Sequence, residues 1–485
     1  MFFFLNGSLQ DFPVLRGVSV FILPDLCVVH VKKINQIWEH PVSSRTGEIA
    51  KIKEENNRNE WNRFVKIKKH SKSEGECLDI KNQRFFRRAV TVWLLSLVLV
   101  CGFPVPPAFS EEEPMAPVST KPFVLTRTAT NLPGEVSKLE GELQKSGIQK
   151  LLDEANREAT RGCSSPALNQ VSGVLDNWCF NSGDNQTSEW YPQGVTGTGD
   201  AQADDYWGSK QAVLVSWYHS QKGVRISFLD TDTGKYRHVL LVEPYTNSYG
   251  NPSYRAVKIH AGGIVWYGNY LYVVDTKKGF RVFDMRYVFD LGASSNGNTS
   301  NKDLIGRQNG VYYGHGYRYV MPQVGAWTVS GDQTGDTCEP SGPPRFSFVG
   351  LDRSTVPDSL ITGEYCNPPN PEEDRTLYGR VARWPLDAST GQLKTAEDGK
   401  VYASEAYRLP KAHAQGALAL NGNWYAMTSA GETSNGKLYK GTPGNVPSSR
   451  VAGIGPEDLY YWLKRDQIWT VTEHPGKRVL YAVRP

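Results

Sequence analysis

A degenerate internal repeat constrains the fold of this chain more than any other feature. Residues 260–284 read HAGGIVWYGNYLYVVDTKKGFRVFD, and residues 413–440 read HAQGALALNGNWYAMTSAGETSNGKLYK. Each copy opens on His-Ala-x-Gly, enters an apolar strand and turns at Gly-Asn. An aromatic-rich strand follows, and a third begins after Lys-Gly or Gly-Lys. Fainter copies fit the same frame. Tyr191–Thr196 precedes strand-like runs at 212–242, Arg345–Gly350 precedes Leu360–Glu364 and Arg380–Leu386, and Gly455–Tyr460 precedes Gln467–Val471 and Val479–Val483. Units therefore start near 191, 260, 345, 413 and 456.

A meander of three or four strands cannot bury both of its faces alone. Radial stacking of such sheets buries each between two neighbours and leaves only short edges. The repeat thus predicts an all-β fold over 163–485, a β-propeller of about five four-stranded blades. The count becomes six if the long stretch 286–345 hides another blade. The last unit lacks an outer strand, and Val174–Phe180 (VLDNWCF) is expected to supply it and close the ring. Of the tryptophans in this region most are expected in the core, because aromatics fill the space between blades. Trp190 and Trp207, in polar, turn-like surroundings, are the two expected at the surface.

The front of the chain has a different composition. Up to Arg88 it carries 16 Lys+Arg and 10 Asp+Glu, which leaves 38 basic and 40 acidic residues for Glu111–Pro485. The main body is close to neutral, so the basic pI gives no reason to expect nucleic acid as a partner. Arg84, Arg87 and Arg88 precede the apolar run Ala89–Cys101, and Pro104–Ser110 follows. This is a signal-peptide pattern over 84–110, the run being short for a membrane span. An uncleaved single-pass anchor is the competing reading. A signal beginning near residue 84 makes 1–83 an over-long start or a disordered segment. The mature chain is then expected to be secreted and extracellular, with no membrane span. Residues 111–134, rich in Pro, Ser/Thr and Glu, form a spacer, and 135–162 an amphipathic helical segment, with Val136, Leu139, Leu143, Ile148, Leu151 and Leu152 at roughly helical spacing. Cys163, Cys179, Cys338 and Cys366 remain in the exported part, at spacings unlike a zinc cluster. They read as disulfide staples, for which three pairings are open and the local pairs Cys163–Cys179 and Cys338–Cys366 are simplest.

In a propeller the loops entering the inner strands and the ends of the second strands share one face around the central channel. The unit starts place Gln193, His260, His413, Gln415, Glu457 and Asp458 there, and the second-strand ends add His219, Asp275, Glu364, Glu473 and His474. Such a ring can bind a divalent cation, orient a sugar, or supply an acid and a base. Local structural roles compete with each: a repeat-opening histidine fixes its turn, and a strand-ending aspartate caps the next one. The three aspartates of Gly197–Asp205 (GTGDAQADD) offer a further Ca²⁺ possibility, without EF-hand spacing. No G-x-S-x-G elbow is present.

In its strand pattern over roughly 190–485 the chain resembles secreted β-propeller-like proteins, in particular uncharacterised secreted actinobacterial proteins. That resemblance implies fold and export and assigns no catalytic residue. The expected function is therefore recognition of a polysaccharide, a cell-envelope component or a protein on the propeller face. The alternative is a secreted carbohydrate-active hydrolase or lyase using the ring's histidines and carboxylates, with Ca²⁺ as its one candidate cofactor.

Overall fold

The structure, a computed structural model, describes Val18–Leu23, Leu26–Val31 and residues 112–485 other than 332–334, 336 and 372–373. The chain divides into two units, Met1–Pro104 and Val105–Pro485. In the first, Val18–Leu23 and Leu26–Val31 pair as an antiparallel hairpin. The signal-peptide pattern at 84–110 lies outside the described residues.

The second unit is a propeller, built of antiparallel meanders in chain order. The first comprises Tyr191–Gly197, Ala212–His219, Gly223–Asp230 and Lys235–Thr246. The next has Ile264–Tyr267, Tyr270–Asp275 and Gly279–Asp284, and its outer strand is Tyr319–Thr328. Phe348–Asp352, Ser359–Gly363, Arg380–Asp387 and Glu405–Arg408 follow. After these come Ala414–Leu420, Asn423–Thr428, Asn435–Gly441 and Ser448–Ile454. The last meander, Pro456–Trp462, Gln467–Thr472 and Val479–Val483, takes Val174–Cys179 from the front of the domain as its outer strand. Among the described residues, the long stretch 286–345 shows no further four-stranded meander. It makes a small three-stranded excursion, 297–314, before returning as the outer strand Tyr319–Thr328. That strand also pairs in parallel with Val239–Val242, which joins the first two sheets edge to edge.

The glycine of the repeat has a physical reason. A Cβ on Gly263 would stand 2.3 Å from Val349 N, and one on Gly416 would stand 2.9 Å from the Asp458 carbonyl carbon. Gly194 and Gly350 make the same backbone-to-backbone approach in their own inner strands. The inner strands therefore meet main chain to main chain at the axis. Between the sheets the space is filled by aromatic and branched side chains, with Trp217, Trp266, Trp384, Trp462 and Trp469 among the largest fully buried residues.

Residues 112–161 run along the outside as a belt. Ala116–Pro117 pairs with 407–408, and Val124–Arg127 with both 327–328 and 400–402. Lys145–Ser146, Arg157–Glu158 and Thr160–Arg161 add short pairings to 288–289, 235–236 and 178–179. Two short helices interrupt them, Leu132–Glu140 and Ile148–Asp153. Asn131 Oδ1 accepts from Gly134 N to cap the first. All six apolar residues expected on the helical face are buried against the propeller. The stretch expected as a spacer is thus partly strand, because it covers sheet edges that would otherwise be bare. Both local cysteine pairs form disulfides, Cys163–Cys179 and Cys338–Cys366.

Gly263→Ala has no room to relax, since the atoms in its way are backbone. The substitution is expected to cost roughly 1–3 kcal/mol or more, read as a lowered denaturation midpoint. A stability equal to the parent's would show that the inner strands are not in contact there.

Candidate functional site

On the face where the inner strands begin, the ends of several sheets bring polar groups together. Glu457 and Glu473 come from the two inner strands of the last meander, and their side chains hydrogen-bond to each other. Gln415 Nε2 donates to Glu457 Oε1 (2.8 Å), and Gln193 Nε2 to Glu473 Oε2 (3.0 Å). His474 Nε2 stands 3.7 Å from Glu473 Oε1. Burial raises the Glu457 carboxyl well above the usual carboxylate range, and repulsion from Glu473 and Asp458 adds to it. Glu473 is raised too, chiefly by burial. Two carboxyls in mutual contact share one proton, so the pair titrates as a unit.

Beneath them Asp458 is fully buried, with φ +50°. Its carboxylate accepts from Val195 N (3.0 Å), Ile264 N (3.1 Å) and Val349 N (3.3 Å), one donor from each of three other inner strands. Burial pushes this carboxyl upward while those N–H groups pull it down. It is a structural hub whose oxygens are occupied.

An aromatic row lies beside the acid pair. Tyr191 and Tyr218 stack at 5.6 Å and 26°, and Tyr218 lies 4.5 Å from the ring of His260, which is exposed. Burial raises the Tyr218 hydroxyl pKa, and the charge of Glu473 adds to it. Among the described residues, three buried polar atoms around Glu473 find no hydrogen-bond partner: Gln193 Oε1, His474 Nε2 and Arg478 Nη2. Arg478 Nε donates to the Glu473 carbonyl (2.8 Å), and its guanidinium lies under Tyr191. Sequence reasoning missed Tyr191, Tyr218 and Arg478. The first two looked like ordinary strand aromatics, and Arg478 like a turn residue.

Of the predicted ring, the structure gathers Gln193, His260, Gln415, Glu457, Asp458, Glu473 and His474. It gives the other four local contacts of their own. His219 Nδ1 accepts from Gln221 N and Lys222 N, which fixes the turn after its strand. Asp275 pairs with Arg281 (3.1 Å). Glu364 is held by Arg380 in a bidentate pair (2.7 and 2.8 Å), both residues being buried. His413 bonds Asn367 Oδ1 through Nε2 (2.9 Å). Cys338, Glu364 and Cys366 come close together, but the cysteines form a disulfide and Glu364 is saturated by Arg380.

The aspartates of Gly197–Asp205 do not converge on one point. Asp200 accepts from Thr196 Oγ1 (2.7 Å), Asp205 from Trp462 Nε1 (2.8 Å), and Asp204 from Tyr206 N (3.1 Å). Asp200 lines a cavity of about 120 Å³ at the opposite mouth, with Arg353 and Asn421. Burial lifts its carboxyl to about 7. Trp190, expected at the surface, is buried. It packs on His219 and under the Arg225 guanidinium (4.4 Å), so its polar sequence neighbours misled. Trp207 is half-buried on Trp266.

A second buried polar network joins the first sheet to Asp184 of the short helix Ser182–Gln186. Asp184 accepts from Arg225 (2.7 Å), Tyr236 (2.6 Å) and His238 Nε2 (3.1 Å), while His238 Nδ1 meets Ser227 Oγ (2.9 Å). The order Ser-His-Asp suggests hydrolysis, but Ser227 is fully buried and also accepts from Trp217 Nε1. Burial pushes His238 down to about 3, leaving it neutral. The network is a satisfied core of polar groups.

No protein-family model and no curated protein matches the chain. Among solved structures it is similar to a GH43_1 enzyme from Xanthomonas citri (8% identity, 61% of this chain and 88% of that one, TM-score 0.30). Another is the RS223-β-xylosidase (10%, 61% and 92%, 0.30), and a third the Dos1 propeller (11%, 59% and 68%, 0.24). Likeness at these TM-scores says nothing of activity, and the propeller architecture rests on the strand order itself. No helix among the described residues is long and apolar enough to cross a membrane.

Two outcomes check these assignments. Glu364→Gln leaves Arg380 buried against a neutral partner and is expected to cost about 3–5 kcal/mol, seen in chemical denaturation. A neutral effect would free Glu364 from its structural role. For Asp200 the folded carboxyl holds its proton up to about 7, whereas an unfolded aspartate loses it near 3.8. The folded state binds more protons between those values, so this group's contribution to stability falls as pH rises through that window. Asp200→Asn removes the fall. The variant is expected to melt higher than the parent at pH 8, with the gain gone by pH 4; parallel pH profiles would refute the assignment.

Proposed function

We propose that the protein is a secreted, extracellular binding protein that recognises a polysaccharide on the propeller face bearing Tyr191, Tyr218 and His260. The observation carrying this reading is the contiguous aromatic row beside amide and carboxyl groups. Flat apolar rings take the C–H faces of a sugar, and the neighbouring Gln415, Glu473 and His474 take its hydroxyls. The main body's near-neutral charge is compatible with an uncharged glycan.

The arrangement of carboxyls favours binding over hydrolysis. A glycosidase needs its two carboxyls about 5–9 Å apart, with the scissile bond between them. Here Glu457 and Glu473 touch each other, Glu457 is 1% exposed, and Asp458 is enclosed by backbone donors. Export rests on the pattern at 84–110; N-terminal sequencing of protein recovered from culture medium tests it, with a mature start just after Ser110 expected.

The experiment is calorimetric titration of the protein with a panel of neutral and acidic polysaccharides, paired with reducing-end release from each. One glycan is expected to bind saturably without being cut. Tyr218→Ala and His260→Ala are each expected to weaken that binding at least tenfold with the melting temperature little changed, and His413→Ala to leave it as it was. Released product would convert the reading to the carbohydrate-active enzyme. Binding that survives Tyr218→Ala would remove this face from consideration.

A further inference from the structure

We propose that the channel mouth holds a divalent cation, bound by the carboxylates of Glu457 and Glu473 and the amide oxygen of Gln193. The inference shares Glu473 with the glycan reading but needs no aromatic ring and no sugar.

Its first support is a contrast in how this protein handles buried acids. Asp184, Asp230, Asp290, Asp352 and Glu364 are each buried, and each has an arginine or lysine within 3.2 Å. Asp200, Asp205, Asp458 and Glu457 are as deeply buried and form no ion pair among the described residues; Asp458 is met instead by three backbone N–H groups, whereas Glu457 has one amide donor, Gln415 Nε2, and a second carboxyl against it. Among the described residues the one basic group within 4 Å of the Glu473 carboxylate is His474 (3.7 Å), since Arg478 directs its Nε to the Glu473 carbonyl. Uncompensated carboxylates in a desolvated place cost free energy unless a proton or a metal neutralises them.

The second support is independent. Gln193 is 1% exposed, its amide is tied to Glu473, and its Oε1 has no donor. A buried acceptor in that position calls for a partner that is electron-poor. A proton shared by the two carboxyls answers their repulsion and leaves Gln193 Oε1 unsatisfied. A cation between them answers both.

The donor set defines the metal. Carboxylate and amide oxygens suit a hard cation that accepts irregular, oxygen-rich coordination, which is Ca²⁺ before a transition ion. Gln415 Nε2 holds Glu457 Oε1 from the side and orients that carboxylate. Glu473 is only half-buried, so the remaining positions open to water on the propeller face.

The test uses the full chain, stripped with chelator and titrated calorimetrically with CaCl₂, MgCl₂ and MnCl₂ at neutral pH. One saturable Ca²⁺ site per chain is expected, with a raised melting temperature. Glu473→Gln and, separately, Gln193→Leu are each expected to weaken Ca²⁺ at least tenfold; the second keeps both acids, so it decides the matter if the first fails to fold. Tyr218→Ala, which removes no oxygen ligand, is expected to bind Ca²⁺ like the parent even where it has lost any glycan. No saturable uptake of any of the three ions overturns the proposal, as does undiminished uptake by both ligand variants.

Discussion

One carboxylate ties the propeller together at its axis. Asp458 accepts backbone N–H groups from the inner strands that begin at Tyr191, Ile264 and Phe348, while its own strand lies against Gly416. Those N–H groups face an axis with no neighbouring strand to receive them, and a buried donor left alone is costly. Glycines at 194, 263, 350 and 416 bring the strands close enough for a single side chain to reach three of them. The left-handed backbone of Asp458 (φ +50°) aims that side chain inward. The same close approach plugs the channel at this level, so any ligand chemistry is confined to its two mouths.

Closure of the ring from outside uses different physics. The outer strand of the last meander comes from Val174–Cys179, so beginning and end of the domain pair directly, and the Cys163–Cys179 bridge pins the incoming chain. The belt at 112–161 then covers outer edges with short pairings and buries its apolar residues against the sheets. Bare edges are templates for unwanted pairing, and a belt removes them without adding another sheet.

The two mouths of the channel carry different chemistry. The upper one combines an acid pair, two amides and an aromatic row that is partly open to solvent. The lower one holds Asp200, raised to about 7 by burial, in a small cavity beside Arg353. From the helix Ser182–Gln186, Asp184 gathers Arg225, Tyr236 and His238 of the first sheet into a network that is closed to solvent. Desolvation shifts the titration of all three places.

The strand units, their starts near 191, 260, 345, 413 and 456, and the closing role of the 174–180 strand were all legible in the sequence. Alternation of apolar runs with Gly/Asn turns is local, and His-Ala-x-Gly marks a close approach that only glycine permits. Strand direction sends residues that open or end these strands toward one face, which is how Gln193, Glu457 and Glu473 could be named together. What tertiary structure decided was the partner of each. Glu364 and Glu473 end equivalent strands, yet Arg380 neutralises the first and nothing comparable reaches the carboxylate of the second. Trp190 reads as a surface residue until Arg225 covers it from another strand. Sequence determines which face a side chain points to, because that depends on its own backbone. Whether it ends there as ion pair, turn anchor or open ligand group depends on which groups the fold brings within about 3 Å, from Arg380 sixteen residues along from Glu364 to Glu473, 280 residues from Gln193.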